Sequence, residues 1–165
     1  MLVVAQKRHC VFLTHCRQKN CALATDRLEA QLSNMIECLI LGDSIAVGVH
    51  KYRNECTVYA KSGINSTNYN KRYLQRNLNA DTVVISLGSN AKGIDTKDNL
   101  EKLRKEVTAK KVFWVLPANN EEARYIIEAI ANEYGDTYIR IPRTADRVHP
   151  TTSSYKRIAE ITKYY

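Results

Sequence analysis

Short apolar runs recur along the chain from residue 35 onward, and the segments between them show helical spacing. Runs of about four to eight residues, rich in β-branched side chains and closed by glycine or proline, predict buried strands. Apolar residues three and four positions apart predict amphipathic helices. The predicted strands are 35–41, 56–60, 81–88, 111–117 and 136–141, and the predicted helices are 44–53, 67–78, 95–107, 119–134 and 152–163.

Strand and helix alternate five times, which is typical of an α/β protein with a parallel sheet covered by helices on both faces. Right-handed crossovers and a strand order such as 2-1-3-4-5 would place the first and third strands side by side at a switch point. Ligands in such sheets bind beyond the carboxyl ends of the strands. We therefore expect a functional site in the loops that follow residues 41, 60, 87, 117 and 141.

Residues 1–34 show no strand or helix period, and we interpret them as a basic extension, poorly ordered and dispensable, that precedes a domain of residues 35–165. Three cysteines and two histidines crowd into residues 9–21, but no CxxC pair occurs among them. Structural zinc sites usually contain such close pairs. A zinc site in this segment is therefore the less favoured interpretation.

The composition is that of one soluble globular domain, with 165 residues, of which 44% are hydrophobic and 25% charged. No apolar run approaches the roughly 18 residues of a membrane span, and the N-terminus lacks the continuous apolar core of a secretory signal. We therefore expect a cytoplasmic protein.

The five cysteines form an odd set in a chain without an export signal, which favours free thiols.

The net charge of +8 favours anionic partners such as nucleic acid, acidic glycans or lipid headgroups. The basic residues are scattered over several predicted helices and are interleaved with glutamates, as in the segment 99–111. That pattern is typical of solvated helix faces. It favours an ordinary solvated surface over a nucleic-acid groove.

Four of the loops that follow the predicted strands carry residues suited to acyl transfer, namely Ser44, Gly63, Asn90, and Asp146 with His149. Serine chemistry needs an exposed hydroxyl, a base, a group that orients the base, and donors for the developing oxyanion. Ser44 stands where a strand turns into a helix, so its hydroxyl can project from the sheet edge. His149 is the candidate base, and Asp146 lies three residues before it on the same loop. Asn90 offers side-chain N–H groups, and Gly63 offers a backbone N–H without a Cβ that blocks approach.

These residues occur in motifs that resemble those of the SGNH (GDSL-type) hydrolases. The segment "CLILGDSIAVG" at 38–48 is similar to the first block of that family, and "KSG" at 61–63 is similar to its glycine block. "LGSN" at 87–90 resembles the Gly-x-Asn block, and "DRVHP" at 146–150 resembles the closing Asp-x-x-His block. Gly-Asp-Ser alone is a weak signal, but the blocks occur in order, each after a predicted strand. The resemblance covers residues 35–165.

The resemblance implies a flavodoxin-like three-layer α/β/α sandwich with a five-stranded parallel sheet in the order 2-1-3-4-5. It also implies ester hydrolysis or acyl transfer without a metal or organic cofactor. The resemblance implies that Ser44 is the nucleophile, that His149 is the general base and acid, and that Asp146 orients His149. The resemblance also implies an oxyanion hole made of the Ser44 amide, the Gly63 amide and the Asn90 side chain.

Other interpretations of these residues stay open at the level of sequence. Ser44 could cap the following helix, as serine often does. His50 is a rival base, although a spacing of six residues along a helix turns it away from Ser44. Asn65 could replace Asn90 as the oxyanion donor. We interpret Asp43 as a structural acid that holds its loop by accepting hydrogen bonds from backbone N–H groups.

The short matched region leaves little room for the insertions that wall a substrate pocket, so we expect an open and shallow site. By family analogy the substrate is a small ester, with an O-acetyl group on a carbohydrate or cell-wall glycan as the best candidate. The acceptor is water or a sugar hydroxyl. The alternative is a catalytically idle module of the same fold that binds an anionic polymer through its basic surface.

Overall fold

The structure of the chain, a computed structural model, describes residues 36–91, 93, 96–142 and 144–164. Residues Ile36–Tyr165 form one compact unit. The predicted basic extension at 1–34 and the cysteine and histidine cluster at 9–21 lie outside the described residues. None of the described helices is both long enough and apolar enough to cross a membrane.

In the described residues, five strands form a single parallel sheet in the order β2-β1-β3-β4-β5, as the sequence predicts. The strands are β1 (Ile36–Gly42), β2 (Thr57–Ala60), β3 (Asn79–Ser86), β4 (Thr108–Val115) and β5 (Thr137–Ile139). The register pairs Gly42 of β1 with both Ala60 of β2 and Ser86 of β3. The carboxyl ends of these three strands therefore lie at one rim, which brings together the loops that follow them.

Helices cover both faces of the sheet and complete the three-layer α/β fold. They are α1 (Ser44–His50), α2 (Ser66–Tyr73), α3 (Thr96–Glu106), α4 (Glu121–Tyr134) and α5 (Thr152–Tyr164). Side chains of α2, α3 and α4 pack with Leu39 and Leu41 on one face of the sheet. Side chains of α1 and α5 pack with Cys38 and Ile40 on the other face. This alternation along β1 is what a strand buried on both faces requires.

Several elements are shorter than the sequence predicts, because tertiary contacts decide where they end. Helix α1 ends at His50, whereas the sequence predicts an end at Arg53. The chain then turns, and the Arg53 N–H donates to the His50 carbonyl oxygen at 3.2 Å. This turn places the buried Arg53 side chain against α5, where it donates to Thr162 Oγ1 at 2.9 Å. The buried guanidinium thus joins the end of α1 to the last helix.

Cys38 and Cys56 form a disulfide, so the expectation of free thiols is wrong for this pair. The register of β1 and β2 explains the bond. Leu39 pairs with Thr57, so the residues that precede them face each other across the two neighbouring segments. Their Cα atoms are 4.7 Å apart, within the range that a disulfide bridges. This pairing depends on strand register, which the spacing of the cysteines along the chain does not reveal.

Candidate active site

Ser44 is the first residue of α1 and follows the carboxyl end of β1, as the sequence predicts. Gly42 makes this turn possible, because its φ is +143° and a Cβ there would lie 1.8 Å from the Ser86 carbonyl oxygen. The Asp43 N–H donates to that same oxygen at 2.9 Å. The chain thus leaves β1 in close contact with β3 and presents a half-buried Ser44 at the rim of the sheet.

Asp43 fixes the start of α1. Its Oδ1 accepts the Ile45 N–H at 2.9 Å, so the N-cap is Asp43, and the interpretation of Ser44 as the cap is wrong. The side chain is fully buried, and burial raises the pKa of the Asp43 carboxyl to about 6, although the Ile45 N–H lowers this pKa in part. Hydrogen bonding from Ser89 also lowers the pKa of the Asp43 carboxyl in part.

The loop between β5 and α5 brings His149 to Ser44. The Nε2 atom of His149 lies 2.9 Å from Ser44 Oγ, although 105 residues separate the two in the chain. The Nδ1 atom of His149 lies 2.8 Å from Asp146 Oδ2. A neutral imidazole with its proton on Nδ1 donates to the carboxylate and accepts the serine proton through Nε2. The structure therefore places the three side chains in one continuous hydrogen-bonded series.

Asp146 is held by hydrogen bonds within its own loop. Its Oδ1 accepts the backbone N–H groups of Val148 and His149, both at 2.9 Å, and lies 2.8 Å from Thr144 Oγ1. The Val148 N–H, the His149 ring and the other donors hold the pKa of the Asp146 carboxyl well below its usual range. Asp146 is therefore ionised at neutral pH and faces the imidazole through Oδ2.

The His149 and Asp146 side chains are open to solvent. The side chain of His149 is 45% exposed, and that of Asp146 is 54% exposed. The described part of the chain therefore leaves these two groups open to solvent. Such an open arrangement admits an acyl group that projects from a large molecule.

Two further predicted loops join the same rim. The Lys61 N–H donates to the Gly42 carbonyl oxygen at 3.0 Å, and Lys61 begins the turn that contains Gly63. Gly63 has a φ of +74°, and a Cβ placed there would find no atom within 4 Å. Asn90 Nδ2 donates to the carbonyl oxygen of Ile64 at 3.3 Å, which leaves its second N–H for another acceptor. Asn90 thus reaches the loop of Gly63.

The backbone N–H of Ser44 is the third predicted oxyanion donor. As the first residue of α1, Ser44 has no acceptor for this N–H within the helix. The Ser44 N–H, the Gly63 N–H and the Asn90 amide therefore all belong to loops of one rim. Their role as oxyanion donors stays a prediction, as do the catalytic roles of Ser44, His149 and Asp146.

The rival residues His50 and Asn65 make contacts of a structural kind. His50 Nδ1 lies 3.3 Å from the Arg53 carbonyl oxygen, at the opposite end of α1 from Ser44. Asn65 is the N-cap of α2, and its Oδ1 accepts the Asn68 N–H at 2.9 Å. The imidazole that contacts Ser44 Oγ is that of His149.

The structure adds one residue that the sequence does not single out. Thr144 contacts both the Asp146 carboxylate and the backbone of His149 from within their own loop. Its one sequence signal is its place two residues before Asp146 in the run "TADRVHP". The contact itself depends on how the loop folds, which no residue spacing predicts.

Comparison with protein-family models and with curated proteins finds no match to the chain. Among solved structures, the chain is similar to the C-terminal catalytic domain of peptidoglycan O-acetyltransferase A (OatA) of Streptococcus pneumoniae, solved with a methylsulfonyl adduct. The TM-score is 0.51 at 18% sequence identity, and the match covers 78% of this chain and 88% of that one. At this identity the likeness shows the fold alone.

Proposed function

We propose that this protein is a serine-dependent acyl-transfer enzyme of the SGNH type, with Ser44 as nucleophile, His149 as general base and acid, and Asp146 as the residue that orients His149. One observation carries the proposal. A single imidazole lies 2.9 Å from Ser44 Oγ through Nε2 and 2.8 Å from Asp146 Oδ2 through Nδ1. A serine hydroxyl becomes an effective nucleophile when a base within hydrogen-bond distance takes its proton.

Acylation begins when Ser44 Oγ attacks the ester carbonyl carbon and its proton passes to His149 Nε2. The ionised Asp146 stabilises the imidazolium that forms. The carbonyl oxygen becomes an oxyanion, which the Ser44 N–H, the Gly63 N–H and the Asn90 Nδ2 group stabilise. The ester C–O bond then breaks, and the leaving alcohol takes the proton from His149 Nε2. The product is an acyl group esterified to Ser44.

Deacylation repeats these steps with an acceptor in place of Ser44. The acceptor hydroxyl gives its proton to His149 Nε2 and attacks the acyl carbon of the acyl-enzyme. The bond to Ser44 Oγ breaks, and Ser44 recovers its proton from His149. Water as acceptor gives hydrolysis, whereas a sugar hydroxyl gives transfer.

An O-acetyl group on a glycan is the substrate that the structure and the comparison favour. The similar solved structure is the catalytic domain of a peptidoglycan O-acetyltransferase. The exposure of His149 and Asp146 suits a reacting group that is attached to a polymer and cannot enter a closed pocket. The basic character of the chain, with a net charge of +8, is compatible with an anionic glycan.

Covalent labelling with a fluorophosphonate tests the nucleophile without knowledge of the natural substrate. We expect wild-type protein to gain a phosphonyl group on Ser44 and to hydrolyse para-nitrophenyl acetate with an initial burst, because acyl-enzyme accumulates when deacylation is the slower step. Ser44→Ala should abolish labelling and lower kcat by roughly a thousandfold or more. His50→Ala, at the other end of α1, is the matched control and should retain both reactions.

Wild-type protein that takes no label and hydrolyses no member of a panel of small esters contradicts the proposal. If such inactive protein binds heparin with an affinity that falls steeply as salt rises, an idle module that binds an anionic polymer describes it better.

In active protein, the acceptor is identified by supplying an acetyl donor with chitopentaose. Mass spectrometry then shows acetylated oligosaccharide for a transferase and free acetate alone for a hydrolase.

A further inference from the structure

Thr144 contacts both members of the Asp146–His149 pair. Its Oγ1 lies 2.8 Å from Asp146 Oδ1 and 2.7 Å from the carbonyl oxygen of His149. A threonine hydroxyl has one proton and both partners are acceptors, so the hydroxyl donates to one of them at a time. Thr144 also closes the turn that contains Asp146, because its carbonyl oxygen accepts the Arg147 N–H at 3.0 Å.

The contacts of Asp146 divide between its two carboxylate oxygens. Oδ1 accepts the backbone N–H groups of Val148 and His149 and lies within hydrogen-bond distance of the Thr144 hydroxyl, whereas Oδ2 faces His149 Nδ1. Each contact at Oδ1 resists rotation of the carboxylate and so keeps Oδ2 directed at the imidazole. Among these contacts at Oδ1, the Thr144 hydroxyl comes from a side chain, so it can be removed without a change to the backbone.

The solvent exposure of Asp146 and His149 explains why the contact from Thr144 matters. The Asp146 side chain is 54% exposed and the His149 side chain 45% exposed, so water competes for both. We propose that Thr144 is a positioning residue that keeps Asp146 Oδ2 directed at His149 Nδ1, an inference that rests on the function proposed for this site. Thr144 acts through Asp146 and His149 and does not touch the substrate.

Thr144→Val tests this role, because valine keeps the β-branched shape and lacks the hydroxyl. We expect kcat/KM for para-nitrophenyl acetate to fall about tenfold, which is the usual scale for loss of one hydrogen bond to a charged group. The loss should lie mainly in kcat, since Thr144 orients catalytic groups and binds no substrate. Thr144→Ser restores a hydroxyl and should recover kcat/KM to within about twofold of wild type.

The number of reactive sites separates positioning from a general loss of structure. A smaller folded fraction would lower the number of Ser44 side chains that take the fluorophosphonate label at completion, so kcat is expressed per labelled site. A positioning role predicts that kcat per labelled site falls in Thr144→Val and recovers in Thr144→Ser.

Thr151→Val is the matched control on the other side of His149. Thr151 Oγ1 accepts the Ser154 N–H at 3.2 Å at the start of α5. Among the contacts of the described residues, none joins the Thr151 side chain to Asp146 or His149. We expect this variant to lose some stability and to keep the wild-type kcat per labelled site.

Folded Thr144→Val with wild-type kcat per labelled site overturns the proposal. So does a Thr144→Ser variant that is as slow as Thr144→Val, because the hydroxyl would then not be the cause. If circular dichroism shows that Thr144→Val does not fold, Thr144→Ala is judged on the same two criteria. Failure of the proposed function is distinct from these outcomes, since wild-type protein itself would then be inactive.

Discussion

At the scale of single residues, the candidate site combines one buried and one exposed carboxyl group whose environments act in opposite directions. Burial raises the pKa of Asp43 to about 6, whereas loop hydrogen bonds lower the pKa of Asp146. Ionisation of Asp43 therefore costs stability in the folded protein, while ionisation of Asp146 is favoured. This difference matches their contacts, because Asp43 holds the start of α1 and Asp146 faces the imidazole of His149.

The raised pKa of Asp43 predicts a pH-dependent contribution to stability. The folded protein binds this proton more tightly than the unfolded chain, whose carboxyl has an ordinary pKa of 3.8. The stabilising contribution is therefore complete below that pH and is lost as pH rises through about 6. Asp43→Asn keeps an acceptor for the Ile45 N–H and does not titrate. Relative to wild type, its free energy of unfolding should rise by about 2 kcal/mol between about pH 4 and about pH 7.

Urea denaturation of wild type and Asp43→Asn across that pH range measures the difference. A difference between the two free energies of unfolding that is constant with pH would show that Asp43 titrates as an ordinary carboxyl group.

At the scale of elements, the sequence predicts the sheet order and the rim that carries the site. Its alternating strands and helices, with motif residues after predicted strands, place Ser44 and His149 at the same rim of the sheet before any distance is known. Helix ends and the contacts of Thr144 escape prediction, because they depend on tertiary contacts such as the buried Arg53 side chain. The spacing of the cysteines along the chain also does not reveal the strand register, so the sequence does not predict the Cys38–Cys56 bond.

The junction of β1 with β3 depends on Gly42. A Cβ at this position would lie 1.8 Å from the Ser86 carbonyl oxygen, and a φ of +143° disfavours any L side chain. We expect Gly42→Ala to lower the free energy of unfolding by about 3 kcal/mol, because the backbone of one strand must move. The same movement displaces Ser44, so fluorophosphonate labelling of folded protein should slow.

Gly93→Ala is the control for the Gly42 prediction. Its φ is +90°, but a Cβ there would find no atom within 4 Å, so the cost is backbone strain of about 1 kcal/mol. Urea denaturation compares the two variants. Equal losses of stability would show that the close approach of β1 to β3 has no special energetic importance.

At the scale of the whole molecule, the disulfide closes a loop that contains the proposed nucleophile. Cys38 and Cys56 are 18 residues apart, and all of α1, including Ser44, lies between them. Disulfides are rare in the cytoplasm. The bond therefore conflicts with the expectation of a cytoplasmic protein that the sequence favours, and the location of the protein stays a prediction.

A closed loop of this length should stabilise the protein by about 3 kcal/mol, because it restricts the unfolded chain. Dithiothreitol should therefore lower the free energy of unfolding of wild-type protein by about that amount. The double variant Cys38→Ala with Cys56→Ala should start from the lower stability and show no response to the reductant. Peptide mapping without reduction should recover residues 38 and 56 in one cross-linked pair. Unchanged wild-type stability in dithiothreitol, with both thiols open to alkylation before reduction, would restore the expectation of free cysteines.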